Sequence, residues 1–304
     1  MRIVVNGQQA FGKAVLDALV ARSEDVVAVY CAPDARPDRP DPLKAAAGER
    51  GLPVFQPKSF RDPAVHEEFA ALKPDLCVMA YVTKIVPSSF LDLPVLGTIQ
   101  YHPSLLPLHR GPSSINWPII QGRKETGLTI FWPDDGLDTG PVLLQKKTAI
   151  GPDDTLGSIY FGRLFPMGVD AMLEAVDLVR DGKAPKLAQD EAEATYESWC
   201  TAEDARIDWS RPAGEIYNLI RGCNPQPGAW TMRNGAKLQI FDARLAEAAA
   251  GAGPGTVLSV SEDGAVIAAG GGGGAVCAVR VRPEGAGKIA AAEAGLEPGE
   301  VLGG

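Results

Sequence analysis

The sequence has few cysteines and no paired spacing among them. Five occur in 304 residues, and none forms the C-x-x-C pattern of zinc or redox sites. The odd count and the scatter argue against a disulfide framework or a metal site and favour reduced, buried thiols. These residues are Cys31, Cys77, Cys200, Cys223 and Cys277.

A long apolar run is also missing. No stretch reaches the roughly 18 apolar residues that suggest a membrane-spanning helix. The first residues, Met1 to Gly7, lack the charged start, apolar core and cleavage site of a secretory signal. Together with the cysteine usage, these absences predict a cytoplasmic protein with no membrane partner.

Basic clusters are missing as well. Asp and Glu total 38 against 29 Lys and Arg, which gives a net charge of -9, and no run rich in Lys and Arg occurs. Such a charge repels a phosphate backbone unless a local patch compensates. Nucleic acid, tRNA included, is therefore a poor candidate for a partner.

Apolar patterning predicts strands alternating with helices in the first two thirds of the chain. Ile3 to Asn6 and Val26 to Cys31 are short apolar runs, and between them Phe11, Val15 and Leu19 recur at helical spacing. Further strands are predicted at Leu76 to Ala80, Leu96 to Tyr101, Leu128 to Trp132 and Val142 to Ile150, and further helices at Ala64 to Leu72 and Thr155 to Arg180. This alternation is typical of an α/β domain with a mostly parallel sheet covered on both faces.

The pattern changes after a polar stretch, Gln189 to Asp208, in which we place a domain boundary near residue 203. One helix, Ala213 to Arg221, is followed by short strand-like runs separated by glycine-rich turns. These runs are Ala229 to Met232, Lys237 to Phe241, Gly255 to Val260, Ala265 to Ala269 and Val276 to Val281. Strands at this spacing indicate a small β-barrel over residues 204–304, with Gly270 to Gly274 as a hairpin loop.

The chemical information concentrates between residues 100 and 140. His102 follows a predicted strand and precedes Pro103, so its backbone is biased to an extended conformation. Gln100 lies on the same strand face two residues earlier. Asp138 lies in the Gly-bounded loop from Asp134 to Gly140, from which a carboxylate can reach the imidazole. Because ligands bind beyond the carboxyl ends of strands in such sheets, this window is the candidate site.

These residue types suit acyl-type transfer. Attack on a carbonyl builds an oxyanion that a preformed amide donor stabilises, and the departing nitrogen needs a proton. Asp138 would orient the imidazole and fix its tautomer, as carboxylates do in catalytic triads. No Gly-x-Ser-x-Gly elbow surrounds Ser104, so attack by water or an external amine is favoured over a covalent intermediate. The residues alone leave a structural alternative open, because a histidine at a strand end and an Asp-Asp-Gly turn also occur without catalysis.

Two motifs resemble the signature of the folate-dependent formyltransferase family. They are His102 to Pro107 with Arg110 and Gly111, and Asp134 to Gly140. The family includes methionyl-tRNA formyltransferase and the hydrolase domain of 10-formyltetrahydrofolate dehydrogenase, and the likeness to that domain is stronger. Other segments that resemble it are Gly7-Gln8, Phe11-Gly12, Ile115 to Trp117, Ile130 to Trp132, Leu164 to Pro166, Gly182 to Pro185 and Pro227 to Trp230, so the likeness covers nearly the whole chain.

The resemblance implies a Rossmann-like formyltransferase domain, residues 1–203, followed by an OB-like β-barrel. It implies 10-formyltetrahydrofolate as formyl donor, no metal, and His102 and Asp138 as the catalytic pair with Gln100 beside them. The other motif residues are then expected to bind the folate substrate: Ser104, Arg110, Gly111, Asp135, Gly136 and Gly140.

Position 100 departs from the family. Its transferases carry Asn two residues before the histidine and the hydrolase domain carries an apolar residue, whereas Gln100 holds its amide on a longer stem. The stretch from Pro33 to Pro42, where tRNA formyltransferases usually have a basic insertion, is short and sets Arg36 and Arg39 against three aspartates. A chain of 304 residues also leaves no room for the dehydrogenase's carrier and aldehyde dehydrogenase domains.

We therefore predict an enzyme that hydrolyses 10-formyltetrahydrofolate to formate and tetrahydrofolate. The first alternative is formyl transfer to an amine, with a small amine or amino sugar favoured over methionyl-tRNA. A noncatalytic folate-binding module is the alternative of another class. An oxidoreductase is not favoured, because Gly7 and Gly12 lack between them the glycine that lets a pyrophosphate approach.

Overall fold

The computed structural model describes residues 1–34, 39–248 and 251–303. Arg36, one of the two arginines that bear on tRNA recognition, lies outside the described residues. The fold consists of two compact units. Residues 1–111, 127–147 and 163–196 form the first unit, and residues 112–126, 148–162 and 197–304 form the second. The boundary near residue 203 stays a prediction.

Seven strands form a mostly parallel sheet. They are β1 (Arg2–Gly7), β2 (Asp25–Tyr30), β3 (Val54–Phe55), β4 (Leu76–Ala80), β5 (Thr98–His102), β6 (Glu125–Phe131) and β7 (Val142–Ala149). Their order is β3-β2-β1-β4-β5-β6-β7. All pairings from β3 to β5 are parallel, and β6 runs antiparallel to β5. The predicted α/β sheet is confirmed.

Helices cover both faces of this sheet, since alternate strand residues enter different cores. The helices of the first unit are α1 (Gln9–Ala21), α2 (Pro42–Glu49), α3 (Pro63–Ala71), α4 (Ser88–Leu91) and α7 (Phe165–Arg180), whereas α5 (Asn116–Ile120) and α6 (Leu156–Ile159) belong to the second unit. Ile3 of β1 packs in one core with Phe11 of α1. Val4 packs in the other core with Phe69 of α3 and Phe90 of α4.

The prediction of one continuous helix from Thr155 to Arg180 is wrong in one respect. A π-helical turn, Tyr160–Leu164, separates α6 from α7. Pro166 lies in the first turn of α7, where a helix tolerates a residue without an N–H. Proline cannot donate a hydrogen bond to the preceding turn, so it interrupts an α-helix that would run through this point. The proline therefore explains why regular α-helix restarts at Phe165.

An antiparallel sheet follows, as predicted. After α8 (Ala213–Gly222) come β8 (Ala229–Arg233), β9 (Ala236–Glu247), β10 (Val257–Ser261), β11 (Gly264–Ala268), β12 (Gly274–Pro283) and β13 (Ile289–Ala290). The order is β10-β11-β12-β9-β8, and β13 also pairs with β12. β9 is longer than predicted because it pairs along β12 as far as Glu247. The glycines from 270 to 274 join β11 to β12 as the predicted hairpin.

Two short 3-10 turns complete the elements, Glu191–Glu193 and Ala291–Glu293. None of the helices in the described ranges is both long and apolar enough to cross a membrane.

Candidate active site

His102 ends β5 at the carboxyl edge of the parallel strands. Its backbone pairs with Thr129 of β6. Pro103 then leads into a tight turn in which the amide of Ser104 donates to the carbonyl of His102 at 2.9 Å. The imidazole is buried, with 6% of the residue exposed. This edge is where α/β sheets bind their ligands, so the position fits the predicted site.

Both ring nitrogens of His102 face an acceptor. Nε2 lies 2.9 Å from the carbonyl oxygen of His109. A carbonyl only accepts, so Nε2 carries the hydrogen and donates it. Nδ1 lies 3.5 Å from Oδ2 of Asp138. The carbonyl of His109 therefore holds a hydrogen on Nε2, and Nδ1, which faces the carboxylate of Asp138, is the ring nitrogen at which a proton can be gained or lost.

Asp138 is held from two sides. Its Oδ2 accepts a hydrogen bond from the amide of Gly111 at 2.8 Å, and only 9% of the residue is exposed. Its backbone has a φ of 57°, in the left-handed region that most residues avoid. Within the same loop the amide of Gly136 and the hydroxyl of Thr139 donate to Asp134, at 3.0 Å and 2.6 Å. The loop thus presents the Asp138 carboxylate in one defined place.

Gln100 lies on the His102 face of β5, half-buried, and pairs through its backbone with Phe131. Its side-chain amide forms no hydrogen bond with any residue in the ranges that the structure describes. The NH₂ group remains available as a donor to a reacting oxygen.

Two predicted substrate-binding residues point into the protein. Ser104 is fully buried and its hydroxyl donates to the carbonyl of Leu108 at 2.7 Å, which closes the turn after His102. Arg110 is 0% exposed. Both side chains bind groups of the protein in this structure, and their predicted contact with a folate stays a prediction.

The guanidinium of Arg110 uses all five of its N–H groups inside the first unit. Nε and Nη2 donate to Oε1 of Gln189 at 3.1 Å and 2.8 Å. Nη1 and Nη2 also donate to the two carboxylate oxygens of Glu191, and Nη1 donates to the hydroxyl of Tyr196. These hydrogen bonds hold the pKa of Glu191 below its ordinary value.

The remaining predicted residues divide into exposed and enclosed positions. Asp135 and Gly136 are exposed, and Oδ1 of Asp135 accepts from the amide of Ser88 at 3.0 Å, which lowers the pKa of this carboxyl. Gly111 and Gly140 are buried. A Cβ at Gly140 would lie 1.7 Å from the carbonyl oxygen of Trp132, so only glycine fits there.

Three residues outside the two motifs bind the loops of this site and were not predicted. Gln189, Glu191 and Tyr196 belong to the polar stretch before the predicted domain boundary, and no spacing or motif marks them. Within the described ranges, no three His, Cys, Asp or Glu side chains come together as a metal site.

Comparisons with known proteins agree across both parts of the chain. The family described as formyl transferase matches residues 1–176, and the formyl transferase C-terminal domain matches residues 200–295. Cytosolic 10-formyltetrahydrofolate dehydrogenase of Xenopus laevis is 44% identical over 246 residues, which is 79% of this chain and 27% of that protein. The chain thus spans about a quarter of the length of such dehydrogenases. Methionyl-tRNA formyltransferase of Geotalea daltonii is 42% identical over 274 residues, 88% of this chain and 86% of that protein.

Solved structures show the same fold at lower identity. The N-formyltransferase of Helicobacter canadensis, in complex with folinic acid and dTDP-3-aminofucose, has a TM-score of 0.70 and 19% identity, covering 91% of this chain and 98% of that one. HypX of Aquifex aeolicus, in complex with tetrahydrofolic acid, has a TM-score of 0.67 and 21% identity, covering 97% of this chain and 46% of that one.

Proposed function

Because the chain belongs to the formyl transferase family, we propose that it cleaves the formyl group of 10-formyltetrahydrofolate, with water as the favoured acceptor. The observation that carries this proposal is the buried pairing of His102 with Asp138, beside the unbonded amide of Gln100 on the same strand face. Acid, base and amide donor are the groups that acyl transfer to water requires.

The position of the hydrogen on the His102 ring determines which ring nitrogen can transfer protons. Since Nε2 donates to the carbonyl of His109, Nδ1 is the ring nitrogen that exchanges protons. Water attacks the formyl carbon, and the proton that it releases passes to the pair formed by His102 and Asp138. The new oxyanion is stabilised by the Gln100 amide and the protonated ring, and Asp138 stabilises that ring through its charge. The bond from carbon to N10 then breaks, and N10 takes the proton held by the pair. Formic acid and tetrahydrofolate leave, and the acid loses its remaining proton to solvent as formate.

The folate itself fits the exposed rim of the same edge. The bond from Ser88 to Asp135 joins the start of α4 to the loop from Asp134 to Gly140. Ile85, three residues before α4, and Leu137, in that loop, are 78% and 55% exposed. Exposed apolar side chains beside a few polar groups suit a flat ring system such as a pterin.

Formyl transfer to methionyl-tRNA is the second candidate. The Geotalea daltonii methionyl-tRNA formyltransferase, matched over 86% of its length, favours it. The net charge of -9 and the short stretch around Arg39 oppose it, because few phosphates would be neutralised. Transfer to an amino sugar is supported by structural similarity to several sugar N-formyltransferases, in addition to the Helicobacter enzyme.

The test is to supply 10-formyltetrahydrofolate alone and to follow formate and tetrahydrofolate, with the His102→Ala variant as control for spontaneous decay. Formate release that exceeds the control and that does not rise with added amines supports hydrolysis. Turnover that appears only with methionyl-initiator tRNA, or only with a small amine, would identify that compound, and not water, as the formyl acceptor. Tight folate binding without turnover under any of these conditions contradicts catalysis and leaves the binding-module alternative.

A further inference from the structure

A strap formed by residues 187–196 runs between the loop that follows His102 and the loop that carries Asp138. At one end Leu187 exchanges backbone hydrogen bonds with Val142, the first residue of β7, at 2.8 Å and 3.0 Å. At the other end the amide of Arg110 donates to the carbonyl of Thr195 at 2.9 Å, and the amide of His109 donates to the Thr195 hydroxyl at 2.8 Å. The strap is therefore anchored beside both loops.

Gln189 is the residue of the strap that joins the loops directly. Its Nε2 donates to the carbonyl oxygens of Asp138, at 2.8 Å, and Gly140, at 2.7 Å. Its Oε1 accepts from Nε and Nη2 of Arg110. A guanidinium only donates and carbonyls only accept, so the amide has one possible orientation. Both donors and the oxygen of the amide are in use.

This connection bears on where the carboxylate of Asp138 lies. The left-handed backbone of Asp138 is disfavoured and needs an external partner, which Gln189 supplies at the Asp138 carbonyl. Arg110, at the other end of the amide, precedes Gly111, whose amide binds the Asp138 carboxylate. The Gln189 side chain thus binds the backbone of Asp138 and also binds Arg110, the neighbour of Gly111, whose amide binds the Asp138 carboxylate.

We propose that Gln189 is a positioning residue that sets the distance between Asp138 and Nδ1 of His102. The inference rests on the proposed function, because it concerns the same pair. Gln189 lies between the two ranges that the formyl transferase family matches, residues 1–176 and 200–295. It contacts no reacting atom, and it acts on turnover through the loop.

The sharpest variant is Gln189→Glu. It keeps an oxygen for Arg110 and replaces the NH₂ donor by an oxygen that faces two carbonyl oxygens. The turnover number should fall roughly 10- to 100-fold, as expected when a catalytic group moves by about 1 Å, while KM for 10-formyltetrahydrofolate changes little. Gln189→Met removes the donor without adding charge, and it also removes the oxygen that accepts from Arg110, so it should move the turnover number in the same direction.

Gln239 in the second unit offers a matched control. Its Oε1 accepts from Nε of Arg282 at 2.8 Å, and its Nε2 faces the carbonyl oxygens of Pro227 and Gly228 at 3.2 Å and 3.4 Å. Gln239→Glu makes the same chemical change at a glutamine that also joins an arginine to two backbone carbonyls, in the other unit. It should leave the turnover number unchanged.

A second readout needs no substrate. The amide proton of Gly111 reports its bond to Asp138, so its NMR shift should move and its hydrogen exchange should quicken in Gln189→Glu and not in Gln239→Glu. An unchanged Gly111 signal with wild-type turnover in both Gln189 variants overturns the proposal. So does an equal loss of turnover in Gln239→Glu, which would indicate general destabilisation. If the wild-type protein turns over no acceptor, the proposed function fails while the Gly111 signal still tests the positioning.

Discussion

The imidazole of His102 donates from Nε2 to the backbone carbonyl of His109, seven residues away, at 2.9 Å. This bond commits one ring nitrogen to the protein and leaves Nδ1 facing Asp138 at 3.5 Å. In a serine protease triad the carboxylate binds the nitrogen that does not react. In this protein a carbonyl takes that place, and the carboxylate faces the nitrogen that exchanges protons.

The first prediction follows from that geometry. His102→Ala and Asp138→Asn should each lower turnover of 10-formyltetrahydrofolate by about 10²-fold or more, because each removes one half of a proton-transfer pair. The double variant should lose little beyond either single variant, since residues that act as one unit are not additive. Steady-state kinetics of the three variants check this, with thermal unfolding as control. Multiplicative losses in the double variant would contradict a shared role.

The second prediction concerns Gln100, whose amide has no partner among the described residues. If it binds the oxyanion, Gln100→Leu should lower the turnover number by roughly 10²-fold with little change in KM, the pattern of a contact made only in the transition state. Gln100→Asn should raise transfer to amines relative to hydrolysis. Parallel assays of formate and formylated amine measure both. If Gln100→Leu is fully active and Gln100→Asn does not change the preference for the acceptor, Gln100 takes no part in the reaction.

The third prediction uses the ion pair of Arg110 with Glu191. Arg110 lowers the pKa of the Glu191 carboxyl in the folded protein, relative to its ordinary 4.5. The pair therefore stabilises the fold above that ordinary value, and the stabilisation is lost as the pH falls through the lower folded pKa. The free energy of unfolding should be higher for the wild type than for Glu191→Gln at pH 7, and the difference should shrink from about pH 5 downward.

Urea unfolding at several pH values measures this difference. The magnitude should be modest, because the Glu191 side chain is 68% exposed. Glu193 lies on the same 3-10 turn and forms no ion pair within the described ranges, so Glu193→Gln serves as control. A gap between wild type and Glu191→Gln that is constant with pH would show that the charge of Glu191 does not matter.

The fourth prediction tests the enclosed glycine of the Asp138 loop. Gly140→Ala should lower the free energy of unfolding by about 1 to 3 kcal/mol, because its Cβ would overlap the carbonyl oxygen of Trp132. Gly48→Ala is the matched control. Gly48 lies inside α2 with no atom within 4 Å of an added Cβ, so alanine should stabilise the helix by roughly 0.5 to 1 kcal/mol. Denaturant unfolding that ranks Gly140→Ala at or above the wild type would contradict the packing argument.

The strand and helix pattern could be predicted because it depends on neighbours in the chain. The strand ending at Ala80, the helix starting at Ala213 and the strand carrying Gln100 all lie where apolar periodicity predicts them. The break near Pro166 was missed, because an apolar helical period continues through a π-helical turn. The partners of the site could not be predicted in the same way, since no local pattern encodes a contact between distant segments.

The local conformation of the site follows from residues that are close together in the chain. A proline after His102, a period of two along β5 and the glycines around Asp138 are restrictions that act over a few residues. Contacts between distant segments depend instead on the folded chain: Arg110 binds Gln189, 79 residues later, and the Sγ atoms of Cys200 and Cys223 lie 3.9 Å apart. A buried guanidinium needs an acceptor for each of its donors, and the fold supplies them from wherever the chain returns. Because those acceptors come from distant segments, the residues next to Arg110 in the sequence do not show which groups it binds.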